Sequence, residues 1–171
     1  HAQSFDGTNA VSKVVSKTFS QVEPWVPTVI LNQPSGLSRT SYEGTWDELP
    51  NFNLLTPQSI DIVEDFGETP DKEFVALVYE GYLKIDANEM YEFALTSDDG
   101  SRLLIDGILV VDNDGLHSMT EAKGSVALDT GYHPIRVTYF EKGGGNSLEV
   151  YYDNARFEKR SIPDNLLFHI K

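Results

Sequence analysis

The chain contains no cysteine. That excludes disulfide bonds, thiolate metal sites and a cysteine nucleophile. It leaves the compartment open, because secreted bacterial proteins also do without cysteine. Positive charge is scarce: 13 Lys and Arg stand against 27 Asp and Glu, a formal net charge of −14. Such a surface repels nucleic-acid phosphates and anionic lipid head groups, so nucleic acid is not an expected partner. Neutral ligands and divalent cations remain compatible with it. No apolar run approaches the about 20 residues that a membrane-spanning helix requires, and none is expected. No secretory leader is visible, so the sequence reads as a mature or cloned segment.

Motifs for catalysis are also missing. There is no Gly-x-Ser-x-Gly nucleophile elbow. Gly143-Gly-Gly145 is not followed by Gly-Lys-Ser/Thr, so it is no phosphate loop. The four histidines have no metal-site spacing. Asp112-Asn-Asp-Gly115 has its glycine at the fourth place rather than the sixth and no acidic twelfth residue, so it reads as a tight turn and not an EF-hand. Acidic residues are plentiful, but none stands out as a general acid in an apolar setting; Glu80 belongs on a solvent face. No catalytic residue is expected.

What is present suits a packed β fold. The chain has 171 residues, 40% hydrophobic and 11% aromatic, enough for a core without cross-links. Thirteen glycines and eight prolines supply the turns of short-stranded architectures. Ser59-Ile-Asp-Ile-Val63 alternates, as does Met90-Tyr-Glu-Phe-Ala-Leu-Thr96. Phe74 to Ile85 reads as a longer strand in which Gly81 marks a bulge. Arg102 to Val111 reads as a hairpin turning at Asp106-Gly107, a pair suited to positive φ. Further strands are expected at Lys123–Leu128, His133–Phe140 and Ser147–Tyr152. Tyr42 to Phe52 reads as a loop with aromatic anchors. The fold class is all-β, an antiparallel sandwich or barrel.

The ends read differently. Residues 1–27 suggest a leader and linker or the end of a preceding β module, with a strand over Val11–Phe19 and a break at Glu23-Pro-Trp-Val-Pro27. An N-terminal strand added to the main sheet is the other reading. Residues 161–171 form a tail whose Ile162-Pro-Asp-Asn-Leu-Leu-Phe-His169 is apolar enough to dock on the domain.

One succession is more specific. Ser97-Asp-Asp-Gly-Ser-Arg-Leu-Leu-Ile-Asp-Gly-Ile-Leu-Val-Val-Asp-Asn-Asp-Gly-Leu-His117 follows the Tyr-Glu-Phe-Ala-Leu-Thr strand. Gly131-Tyr-His-Pro-Ile-Arg-Val-Thr-Tyr139, Glu141-Lys-Gly-Gly-Gly-Asn146 and Leu148-Glu-Val-Tyr-Tyr-Asp153 come after it, while Tyr42-Glu-Gly-Thr-Trp46 and Gly81-Tyr-Leu-Lys-Ile85 precede it. Over about residues 28–153 the chain resembles the PA14 family. The resemblance implies a PA14-type β-sandwich over 28–160 and an extracellular, cell-surface or periplasmic setting. It further implies a non-catalytic, carbohydrate-binding accessory role beside a glycoside hydrolase. In the adhesin branch two adjacent aspartates joined by a cis peptide hold calcium with an asparagine from a second loop. That carries over to Asp98, Asp99 and Asn146 as metal ligands, with Asp112, Asp114 and His117 on the same glycan-binding rim. The second loop is short here, Lys142 to Ser147, so the branch's sugar specificity does not carry over. Read without the family, Asp98-Asp99-Gly100 also suits a tight turn that needs no metal.

Val14-Val-Ser-Lys-Thr-Phe19 and Ile162–His169 resemble the segments that flank such a module in bacterial β-hexosaminidases. The catalytic domain of the same polypeptide is the partner this implies. Two other roles are open: a structural module that shapes that domain, and an adhesion domain. Trp46 and Tyr42 read as core anchors of the first loop rather than sugar-stacking rings.

Overall fold

The computed structural model describes residues 2–16, 18, 20–31, 33–67 and 72–169. Thirteen strands are formed among them. A small hairpin, β1 (Phe5–Asp6) with β2 (Asn9–Ala10), stands alone as a two-stranded sheet. The strand expected over Val11–Phe19 does not form in its described part: Val15 makes an isolated bridge to Ala2, and Lys17 and Phe19 lie outside the described residues.

The domain proper has two antiparallel sheets. The larger runs in the order β4 (Ser59–Val63), β3 (Leu37–Glu43), β5 (Val75–Ile85), β10 (Gly131–Glu141), β7 (Ser101–Ile105), β8 (Ile108–Asn113), with β13 (Leu167–Phe168) also paired to β5. The smaller runs β12 (Phe157–Ser161), β11 (Ser147–Asn154), β6 (Glu89–Asp98), β9 (Thr120–Leu128). One buried cluster joins the facing sides of both, with Leu77, Tyr79, Ile135 and Val137 from the larger sheet and Phe93, Leu95, Val126 and Val150 from the smaller. This is the sandwich that the alternating patterns imply. The Asp106-Gly107 turn has φ of 51° and 76° and joins β7 to β8 as expected.

The pairing of β5 with β10 passes through Gly81 without a register shift, so Gly81 is not a bulge. The missing side chain serves a close approach instead: a Cβ there would lie 2.4 Å from the Phe168 carbonyl oxygen. Through β13, and through the buried Ile162 and Leu167, the C-terminal segment joins the core. Upstream, Trp25 hydrogen-bonds with Ala127 and Asp129, and Thr28 with Tyr132, which lays residues 25–28 across the β9–β10 turn.

A second cluster covers the outer face of the large sheet. Tyr42, Ala76, Val78 and Phe140 pack there beneath Trp46, Leu49, Phe52 and Leu55 of the first loop. Tyr42 and Phe52 are in ring contact at 5.2 Å. Tyr42 and Trp46 thus sit in packed apolar surroundings, which is the anchoring role expected of large aromatics.

Candidate functional site

The inward-facing residues of β6 are Tyr91, Phe93, Leu95 and Ser97, and the next position in that row is Asp99. Those of β10 are His133, Ile135, Val137, Tyr139 and Glu141. The two strands belong to opposite sheets, and both rows end in a carboxylate at the same end of the sandwich. Asp99 is 6% exposed and Glu141 is fully buried. Period-two alternation therefore carries acidic groups to the edge of the core, where apolar partners run out.

Asp99 is held by two loops. Its Oδ1 accepts the His117 amide at 3.2 Å and its Oδ2 accepts the Lys142 amide at 3.0 Å. The Asp98–Asp99 peptide bond is cis. The Asp98 carboxylate lies against Gly145, where a Cβ would come within 2.5 Å of Oδ2. Asn146 donates from Nδ2 to the Lys72 carbonyl at 3.2 Å, which turns its Oδ1 toward the Tyr139 hydroxyl at 3.4 Å. That hydroxyl is the hub of the site. It donates to the Asp98 carbonyl at 2.6 Å and has Glu141 Oε2 at 3.2 Å. One phenol proton cannot serve three acceptors at once.

One carboxylate oxygen from each of Asp98, Asp99 and Glu141 lies within 4.8 Å of the others. Calcium binds oxygens at about 2.3–2.6 Å, so oxygens up to about 5 Å apart can share one ion. Glu141 Oε1 is buried and has no hydrogen-bond partner among the described residues. An unpaired buried oxygen beside two other carboxylates fits a hard cation. Burial, followed by the charge of Asp99, holds the Glu141 carboxyl above the ordinary glutamate range. Burial, then the charge of Glu141, raises the Tyr139 phenol and keeps it a donor.

The other expected residues fall into two groups. Asp98, Asp99 and Asn146 come together around Tyr139. Asp112 and Asp114 turn instead to Arg102, at 2.8 and 3.2 Å. Asp114 also accepts the amides of Leu49 and Gly115, each at 2.8 Å. The Arg102 hydrogen bond holds the Asp112 carboxyl below its ordinary value. His117 reaches the cluster through its amide, while its ring nitrogens face the carbonyls of Asn113 and Ser118. Glu141 and Tyr139 were not singled out from sequence. The alternation Ile135, Val137, Tyr139, Glu141 puts a carboxylate on the inward register, and that was the available signal.

A two-sheet antiparallel domain with loop-held carboxylates at one end defines the class. The chain belongs to the PA14 domain family, whose family model matches residues 33–166. A curated relative, "Anti-sigma-I factor RsgI3" of Acetivibrio thermocellus, is 29% identical over 110 residues, 61% of this chain and 17% of that protein. The solved "anti-sigma factor domain-containing protein from Clostridium clariflavum" matches 81% of this chain and 48% of its own at TM-score 0.69 and 19% identity. A structure described as "PA14 sugar-binding domain from RTX adhesin" matches 80% of this chain and 99% of its own at TM-score 0.68 and 15% identity. The chain thus spans about a sixth of the curated relative and about half of the first structure. Among the described residues no helix is long and apolar enough to cross a membrane.

Proposed function

We propose that the chain is a non-catalytic carbohydrate-binding module of a larger extracellular protein, with calcium at Asp98, Asp99 and Asn146 as part of the glycan site. The observation that carries this is the convergence of the Asp98, Asp99 and Glu141 carboxylates at one end of the sandwich, with an oxygen of Glu141 left unpaired. The family's sugar-binding adhesin member supports the ligand class. A calcium ion supplies a Lewis-acidic centre on which vicinal hydroxyls of a sugar can complete the coordination. The protein's part is to fix the oxygens. The His117 and Lys142 amides orient Asp99, Tyr139 holds the Asp98 carbonyl, and Lys72 fixes which way the Asn146 amide faces. Asp112 and Asp114 shape the neighbouring rim by anchoring Arg102 and the amides of Leu49 and Gly115.

The test is retention on a panel of immobilised glycans in calcium and in chelator. Calcium-dependent retention that is lost in Asp98→Asn supports the reading. Retention indifferent to both would place the glycan elsewhere, and no retention on any glycan would end it.

A second reading has its own observation. Phe5, Val14, Val15, Val26, Val29 and Leu31 are all more than half exposed, so the stretch before the matched domain is rich in uncovered apolar side chains. That favours packing against another part of a larger protein, as a structural module would. A glycoside hydrolase is the host proposed from the flanking segments, and the anti-sigma-factor relative is a different kind of host.

A further inference from the structure

We infer that Glu141 is a direct ligand of the cation at Asp98 and Asp99 and closes that ion's site from the interior of the sandwich. This rests on the reading of that end as a cation site. Three observations carry it. Glu141 is fully buried at the end of β10, on the inward row that also carries His133, Ile135, Val137 and Tyr139. Its Oε2 meets the Tyr139 hydroxyl, whereas its Oε1 has no hydrogen-bond partner among the described residues. A carboxylate oxygen of Glu141 lies within 4.8 Å of one from Asp98 and one from Asp99, close enough for all three to share an ion.

The Gly143 amide also bears on this carboxylate, yet an acceptor for Tyr139 and that amide could be a glutamine, which would bury no charge. A second oxygen beside two more carboxylates makes sense when a cation takes it. The position also divides the coordination shell. Glu141 approaches from the core, and Asp98 and Asp99 from the end of β6. The exposed Gly143–Gly145 run carries no side chain to cover the outer side. An ion held this way is a resident part of the module, bound without glycan, with its outer positions open to sugar hydroxyls or water.

Terbium, a hard-cation stand-in for calcium, is the probe, excited through Tyr139 beside the site. Wild-type protein, Glu141→Gln and Glu141→Asp are titrated with terbium, displaced with calcium, and their luminescence lifetimes compared in H2O and D2O. Glu141→Gln exchanges the carboxylate for a neutral amide oxygen that can still face the ion, so it is expected to weaken binding at least about tenfold without a required change in water count. Glu141→Asp keeps the charge but shortens the reach, so it separates ligation from background attraction. It is expected to weaken binding and to admit about one more water to the ion. Unchanged affinity in Glu141→Gln would overturn the assignment, as would wild-type affinity in Glu141→Asp with no added water. If wild-type protein fails to bind terbium or calcium, the cation reading itself falls, an outcome distinct from binding that ignores Glu141.

Discussion

Tyr139 of the large sheet donates its hydroxyl to the carbonyl of Asp98 on the small sheet at 2.6 Å, so one phenol ties the two sheets together at the carboxylate end. The same hydroxyl touches Glu141 and Asn146. Tyr139→Phe keeps the ring packing and removes only this link. It is expected to destabilise the cation-free protein by about 1–3 kcal/mol, the cost of leaving a buried acceptor unpaired. It should also weaken cation binding several-fold, because Asp98 and Asn146 lose their common anchor. Urea denaturation in chelator and a calcium titration check the two parts, and wild-type values in both would show the hydroxyl to be dispensable.

Calcium should raise the thermal midpoint. At about a hundred times its Kd, a ligand that binds only the folded state adds about 2.7 kcal/mol. In a domain of this size that is roughly 5–10 °C. Asp99→Ala is expected to abolish the rise. It should also lower stability in chelator by at least about 1–3 kcal/mol, since the amides of His117 and Lys142 both lose their acceptor. Asp112→Ala serves as the contrast. Its carboxylate is engaged with Arg102 on a half-exposed surface, so the calcium response should survive at a stability cost within about 1 kcal/mol. A flat response in wild-type protein would leave the Asp98-Asp99 turn as a turn.

The cation-free protein should become less stable as pH rises through the range where Glu141 ionises. Burial and the charge of Asp99 raise its folded-state pKa above the unfolded value. The folded state therefore holds this proton more tightly than the unfolded state does. Stability from this group is fully present below the unfolded value, near about 4.3, and is lost as pH climbs through the folded one. Glu141→Gln removes that dependence. In chelator, the midpoint of Glu141→Gln minus that of wild type should grow more positive with rising pH across this window. A difference that stays constant with pH would show that Glu141 pays no such penalty.

Legibility followed burial patterning. The strands around Phe93, Leu103 and Val137 alternate apolar and polar residues, and the sequence showed them clearly. β3, Leu-Ser-Arg-Thr-Ser-Tyr-Glu, and β12, Phe-Glu-Lys-Arg-Ser, were missed. β12 lies at the edge of the small sheet and is charged, as edge strands that avoid further pairing are. β3 is paired on both sides, but its buried apolar residues, Leu37 and Tyr42, are separated by Ser-Arg-Thr-Ser, so no apolar alternation marks it in the sequence. In the site, adjacent aspartates and an asparagine after a glycine run are visible as letters. The pairing of Asp112 and Asp114 with Arg102 depends on β7 and β8 lying side by side. Glu141 was hidden for a related reason: its importance lies in which face of β10 it occupies, and in what the end of β6 brings opposite it.

The two sheets come into backbone contact at Gly124, and that contact gives a prediction independent of any ligand. Gly124 lies on β9, an edge of the small sheet, and faces the Val110 carbonyl of β8, an edge of the large one. A Cβ at Gly124 would stand 1.8 Å from that oxygen, far inside van der Waals contact. The obstacle is backbone: Val110 stands in the bulge of β8, between Leu109 and Val111 that pair with β7, so relief needs a backbone shift rather than a side-chain rotation. Gly124→Ala is expected to cost about 3 kcal/mol or more, at the upper end for overpacking. The control is Gly67→Ala, an exposed site where the nearest atom, at 3.3 Å, is the movable carboxylate of Asp65. That change should stay within about 0.5 kcal/mol. Urea denaturation of both variants decides the matter. If Gly124→Ala is as stable as the control, β8 and β9 do not meet this closely in solution. If it is strongly destabilised yet its folded fraction still binds calcium, the closing edge of the sandwich and its carboxylate end are energetically separate.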